Sequence, residues 1–308
     1  MVLDPTVVQL INFRYHVVTL VAVFLALGLG VLFGASFIDQ SVVDALRKAQ
    51  NRIEDRSAKL RSQILELEHQ NKNLGITVES SEALLVKGVL KDRPTLLVTF
   101  ESSDAKVAEG AAAVLLAAGA RVDGAISLSN KLDMTTDERR KQVGVAVGVT
   151  PTTDQIVADS LINGLRDTFA GKAPGLLQRI VDAQLATVFK VSGVSAKPLA
   201  QLALPGTAIV IVSPGLDSKL LNERFVIPLV KSLSEASTIV AVVEPGTEQI
   251  PLLDQLRQDN LKVVTVDGIE TPAGHTFLAL GLRAAFSGTF GDYGNGKDAT
   301  ARLPEIVG

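Results

Sequence analysis

The sequence predicts an α/β protein: a transmembrane helix, then a coiled-coil helix, then a mainly parallel α/β sheet domain with helices on both faces. Three observations support this prediction. An uncharged apolar run begins at residue 17, a heptad row of aliphatic residues follows it, and short apolar segments alternate with helical segments over the rest of the chain. Strand–helix–strand units of about 20–35 residues are typical of parallel sheets covered by helices.

The first element is the uncharged run over residues 17–38, which reads VVTLVAVFLALGLGVLFGASFI. At a rise of about 1.5 Å per residue, a helix of this length spans ~33 Å, enough for the hydrocarbon core of a bilayer. We therefore expect a single membrane helix, preceded by a tail over residues 1–16. Small side chains at every fourth position lie on one helix face and predict close helix packing in the membrane; they are Ala22, Ala26, Gly30 and Gly34.

Two properties of this run stay open from the sequence. The run is longer than the apolar core of an ordinary signal peptide, which favours a retained anchor, although Gly34 and Ser36 would suit cleavage after Ser36. Basic residues lie on both sides, with Arg14 before the run and a group beginning at Arg47 after it. Because large domains cross membranes largely regardless of such counts, the charges leave the orientation undecided.

The second element is a long helix over residues 39–75, which contains no proline. Large aliphatic residues repeat at an interval of seven, which is typical of a coiled-coil seam and predicts a homodimer or higher oligomer; they are Leu46, Ile53, Leu60, Leu67 and Leu74. The alternative is that this stripe packs against the chain's own C-terminal domain. We expect Gly75 to end or bend the helix, and residues 76–94 to form a helical linker with a short helix over 79–90.

The third part is an α/β domain over residues 95–286. Five short, mainly apolar runs predict strands; they cover 95–100, 121–128, 207–212, 238–243 and 262–266. The first of them is a nearly continuous apolar run, as expected of a strand buried on both faces. The segment 135–191 has mostly helical periodicity. Further helices are predicted over 222–235, 250–260 and 274–286, and the glycine-rich tail over 287–308 is expected to be irregular.

Acidic side chains follow several of these strands. Since open parallel sheets bind ligands at the carboxyl ends of their strands, these side chains form a candidate edge for a ligand or a partner; they are Glu101, Asp104, Asp217 and Glu244. Acidic turns also end strands and cap helices in any fold of this class. Both interpretations remain open at this stage.

Composition and motifs argue against several functions. The net charge is −3, so nucleic-acid binding has no support. The chain has no Cys, only two Met and three widely separated His, so no metal-ligand cluster and no catalytic constellation is visible, and we expect a non-enzymatic protein without a cofactor. His275 has two interpretations, a residue at a helix start or a general base, and we favour the first. The segment from Gly291 to Asp298 approaches a phosphate-binding loop, but Asp298 replaces the required hydroxyl residue.

The opening of the chain resembles a known family. Residues 11–34 read INFRYHVVTLVAVFLALGLGVLFG, with an Arg, a His and an Ala-x-Phe-Leu-Ala-Leu-x-x-Gly run, and the tail carries the pair Tyr293-Gly294. These features are similar to the MctB-like family of actinobacterial envelope proteins (mycobacterial copper transport protein B), and the likeness extends over nearly the whole chain.

This resemblance implies a single-pass membrane protein of copper efflux, with its C-terminal domain on the extracytoplasmic side. It transfers no copper ligands, so direct copper binding is not expected. The same family suggests an alternative, a coiled-coil scaffold that binds an envelope protein and regulates peptidoglycan hydrolysis at division. The implied partners are the lipid bilayer, a second copy of the chain and an envelope protein.

Overall fold

The computed structural model describes most of the chain. The described residues are 5–36, 40–150, 153–173, 175–189, 197–202, 204–221, 224–246, 252–296, 298–300 and 303; for 5–12, 35, 36, 40, 41 and 221 only the backbone is described. Contacts between residues divide the chain into two compact units, Met1–Lys72 and Asn73–Gly308.

The first unit is helical. Helix α1 covers Pro5–Ser36 and helix α2 covers Gln40–Val86, so the last residues of α2 belong to the second unit. Within α1, the segment Phe13–Gly34 is long and apolar enough to cross a membrane, and none of it is buried. It is the one such helix among the described residues. A bilayer is the natural environment for an apolar helix that no protein surface covers.

Helix α2 extends further than the sequence predicts. The expected end of the helix at Gly75 is wrong, because Gly75 lies inside a helix that continues to Val86. The alternative expectation, a bend at Gly75, stays a prediction. One interior glycine costs only about 1 kcal/mol relative to alanine, which the helical residues on both sides outweigh. The Thr77 hydroxyl donates to the Asn73 carbonyl at 2.9 Å, so this polar side chain is satisfied within the helix. The predicted helix over 79–90 is therefore the last part of α2 and the turn after it.

The second unit is built on a seven-stranded sheet formed by the described residues. Its order is β3-β2-β1-β4-β5-β6-β7. Every neighbouring pair is parallel except β2 and β3, which are antiparallel. The strands are β1 Pro94–Phe100, β2 Arg121–Leu128, β3 Ala186–Phe189, β4 Ala208–Val212, β5 Val240–Glu244, β6 Val264–Asp267 and β7 Gly291–Tyr293. The prediction of a mixed α/β protein with a mostly parallel sheet is confirmed.

Helices cover both faces of this sheet. They are α3 Ala105–Ala117, α4 Asp137–Val147, α5 Asp154–Phe169, α6 Gly175–Asp182, α7 Val226–Glu235, α8 Leu252–Gln258 and α9 Pro272–Phe286. One hydrophobic core contains Leu161 of α5 and Val230 of α7, together with Leu96 and Val98 of β1. The other contains Leu115 of α3 and alternate strand residues such as Leu97. Side chains alternate between the two faces of a strand, so the apolar residues of these strands supply both cores.

Two strands were not predicted. β3 lies in a segment whose periodicity predicts helix, and β7 lies in the tail that is expected to be irregular. Each is only three or four residues long and lies at an edge of the sheet, where pairing with a neighbouring strand stabilises it. Such pairing is a tertiary contact, which overrides weak local preference.

Candidate functional site

The carboxyl edge of the sheet contains the point where the strand order reverses, between β1 and β4. In open α/β sheets this is the usual position of a ligand crevice. Here the turns that follow the two strands contact each other. The Gly215 amide donates to the Ser102 carbonyl at 3.0 Å, and the Ser103 hydroxyl donates to the Ser213 carbonyl at 2.9 Å. These contacts join the two turns at the position where a nucleotide would otherwise enter.

Two of the predicted edge carboxylates have local structural partners. Glu101 accepts hydrogen bonds from the Asn130 amide and the Ser129 hydroxyl, each at 3.0 Å. These bonds, with the backbone bond from Asn130 the larger cause, lower the pKa of Glu101. Asp104 caps α3 by accepting from the Lys106 amide at 2.7 Å. Both side chains therefore stabilise the start of a helical segment.

The other two predicted residues have opposite environments. Asp217 is exposed in the turn after β4. Glu244 at the end of β5 is 6% exposed, and burial raises its pKa to about 8, although nearby Arg257 opposes the shift. Among the described residues, no hydrogen bond joins any two of the four predicted carboxylates. The edge is therefore less negatively charged near neutral pH than the sequence implies.

A buried network at the end of β6 was not predicted. Arg257 of α8 donates to the Asp267 carboxylate at 2.9 Å, and this pair is nearly inaccessible to water. The same guanidinium donates to the Tyr293 carbonyl at 3.2 Å. The Asn295 and Gly296 amides also donate to Asp267, at 2.7 and 3.0 Å. The network thus connects α8, β6 and the turn after β7.

This network explains the near match to a phosphate-binding loop. The amides that such a loop would direct at a phosphate bind the Asp267 carboxylate instead, an anion within the protein. A side chain at Gly294, whose φ is +131°, would overlap that carboxylate. Lys297 lies outside the described residues. The glycines therefore serve close packing around Asp267.

His275 lies in the first turn of α9, whose N-cap is Thr271. Its Nδ1 lies 2.9 Å from the Glu82 carboxylate on the part of α2 that belongs to the second unit. This contact ties the end of α2 to α9, which agrees with a structural interpretation of His275.

Metal-binding residues are dispersed. The three His lie on α1, α2 and α9, and the described residues contain no group of three or more His, Cys, Asp or Glu side chains that could hold a metal ion. Met134 is nearly buried in the turn before α4. Thiolate, thioether and imidazole groups are the ligands that copper prefers, and here they are scarce and separated.

The two helical faces predicted from the sequence lie in the first unit, with Leu74 just beyond it. A Cβ atom added at Gly30 or Gly34 would meet nothing within 4 Å in the single chain. The seam residues of α2 are between 58% and 67% exposed; they are Leu46, Ile53, Leu60, Leu67 and Leu74. Five large aliphatic residues at this exposure are unusual for a surface with no partner.

These features define an α/β protein with a membrane-compatible N-terminal helix. Its residues 10–304 match the family described as "Copper transport outer membrane protein, MctB", and the chain belongs to that family. It is 23% identical to the proteins named Copper transporter MctB of Mycobacterium tuberculosis and Mycobacterium bovis. Each alignment covers 94% of this chain and 98% of the relative. The family expected from the opening motif is confirmed.

Proposed function

We propose that this protein acts in copper transport at the cell envelope as a membrane-anchored oligomer that assembles through α2. The observation that carries the proposal is the family match over residues 10–304, supported by relatives that are named copper transporters and aligned over nearly their full length. The proposal assigns no copper ligands within one chain, because the chain has no Cys, two Met and three His, and the described residues contain no group of side chains that could hold a metal ion.

Two physical arguments support assembly. One spanning helix cannot enclose a pore, so any conduction through this protein needs several copies or a partner. The seam of α2 presents its exposed aliphatic row at every seventh residue, the spacing by which parallel helices pair. Parallel pairing would also keep both anchors in one membrane, since each anchor precedes its seam.

The assembly can be tested by replacing seam leucines. Leu60→Asp with Leu67→Asp places charges in the seam, and we expect the full chain in nanodiscs to become monomeric by sedimentation. Leu65→Asp is the matched control, because Leu65 is 65% exposed on the same helix but lies off the seam. Seam variants that remain oligomeric would contradict the proposal.

The function can be tested in cells that lack the protein. We expect these cells to accumulate copper, wild-type protein and Leu65→Asp to restore the normal copper content, and the seam variant to fail. Unchanged cell copper together with altered septation would contradict transport and favour a scaffold that regulates cell-wall hydrolysis.

We also propose that the C-terminal domain lies on the extracytoplasmic side. The chain contains no Cys, so one engineered thiol gives an unambiguous label. Asp217 lies in an exposed turn. A membrane-impermeant maleimide should therefore label the Asp217→Cys variant in intact cells. Labelling only after lysis would place the domain in the cytoplasm.

A further inference from the structure

A groove of about 790 Å³ lies beside α3, over the end of the sheet formed by β1, β2 and β3. Its volume falls within the range of small-molecule sites in proteins. It adjoins the joined turns at the strand-order reversal, because Glu101 and Ser103 of the turn after β1 line it. It contains no residue of the two helical faces proposed for assembly.

The floor of the groove contains a row of three hydroxyl groups. Thr99 of β1 is paired with Ser127 of β2, and Ser127 is paired with Thr187 of β3, so the three lie at one level across three strands. All three line the groove. Paired residues on neighbouring strands lie about 5 Å apart and project to the same side of the sheet.

The next row on the same side of the sheet is apolar. Leu97 is paired with Ala125, and Ala125 is paired with Phe189, whose half-buried ring lines the groove. The α3 side of the groove carries small residues, Ala105 and Ala108 among them. The site therefore has one apolar part and one part rich in oxygen atoms.

The charge of the lining has one sign. Its two ionisable residues are Glu101, which holds the turn at Ser129, and Glu109, which is exposed on α3. No Lys or Arg is among the described residues that line the groove. The combination of carboxylates and hydroxyl oxygens favours a ligand that donates hydrogen bonds and carries positive charge.

We propose that this groove binds a small primary amine with a short apolar body. The ammonium group donates its three hydrogen bonds to Glu109 and to the hydroxyl row. The apolar body packs against Phe189 and the alanines of α3. This proposal does not rest on copper transport, because it uses no residue of the anchor or of the seam.

The absence of Trp in the chain provides a clean reporter. Phe189→Trp places a unique indole in the groove, and the full chain in zwitterionic nanodiscs is titrated with n-pentylamine and with 1-pentanol. We expect a saturable change in emission with the amine, and at least tenfold weaker binding of the alcohol, which lacks the charge. Calorimetry on the wild-type chain repeats the comparison without the reporter.

The contribution of the Glu109 carboxylate is tested in the chain that carries Phe189→Trp. Glu109→Gln should weaken amine binding about fivefold, because a charge-assisted hydrogen bond becomes a neutral one. Glu138→Gln, at an exposed position on α4, is the control and should bind as the wild type does.

Three results would overturn the proposal. These are no saturation with n-pentylamine by either method, equal binding of 1-pentanol, and unchanged affinity in Glu109→Gln. Binding of the peptide acetyl-Val-Lys-Val-amide without binding of the free amine would also overturn it, in favour of a peptide partner.

Discussion

At the scale of single residues, Glu244 shows how burial sets chemistry. Its carboxyl ends a strand, and the fold removes it from water beside α8. Burial raises its pKa to about 8, so the neutral form predominates at pH 7. The acidic sequence motif after β5 therefore does not place a full negative charge at this position.

We expect Glu244 to make stability depend on pH. The folded pKa is above the ordinary value of 4.5, so the folded state binds more protons and stability falls as pH rises from about 4.5 to about 8. Glu244→Gln should flatten this fall, which is on the order of 3 kcal/mol. Urea unfolding followed by circular dichroism between pH 5 and 8 measures it. Glu235→Gln, at an exposed position, should keep the wild-type profile.

Gly294 tests the packing around Asp267. Alanine at this position would overlap the Asp267 carboxylate and would also hold a positive φ, so Gly294→Ala should lower the free energy of unfolding by about 3 kcal/mol. Gly288→Ala is the control, because its φ is +85° but its Cβ would meet nothing within 4 Å. Urea unfolding measures both variants. An equal decrease in the free energy of unfolding would show that contact with Asp267 is not the reason why residue 294 must be glycine.

At the scale of elements, α1 and α2 each carry a patterned face that the single chain leaves exposed. The small residues of α1 recur every fourth position, whereas the seam of α2 recurs every seventh. Both spacings bring side chains to one side of a helix, and both suit pairing with another helix.

The small-residue face of α1 can be tested by a double substitution with a control on the other side of the helix. Gly30→Ile with Gly34→Ile should weaken association of the full chain in vesicles, measured by energy transfer between labelled copies, because bulky side chains keep the helices apart. Gly28→Ile is the control: Gly28 lies on the opposite side of α1, and a Cβ there also meets nothing within 4 Å. A similar effect of all three substitutions would argue against a specific face.

At the scale of the whole molecule, the side chains that copper prefers as ligands are too few and too far apart for us to expect tight copper binding. The chain has no Cys, two Met and three His, and these are far apart in sequence. We expect the full chain to take up less than one Cu(I) per molecule when it competes with a chromophoric chelator. Stoichiometric, tight uptake by the chain alone would contradict the proposed absence of a copper site, and His275→Gln would then test whether that histidine contributes.

The sequence predicted much of the fold and less of the candidate site. β2 has the bounds 121–128 that its apolar run indicates, and the other four predicted strands begin or end within two residues of their predicted bounds. The candidate edge differs, because sequence position shows that Glu101 follows a strand but not that Ser129 and Asn130 donate to it. The pairing of Asp267 with amides 28 and 29 residues later leaves no local pattern.

The sequence by itself determined the apolar N-terminal helix, the heptad row and the α/β class, because each depends on the composition and periodicity of residues close together in the chain. The tertiary structure alone decided which edge carboxylates are engaged, exposed or neutral, where β3 and β7 pair, and how Thr99, Ser127 and Thr187 come to one level. Those outcomes depend on burial and on contacts between residues distant in sequence, which no local pattern encodes.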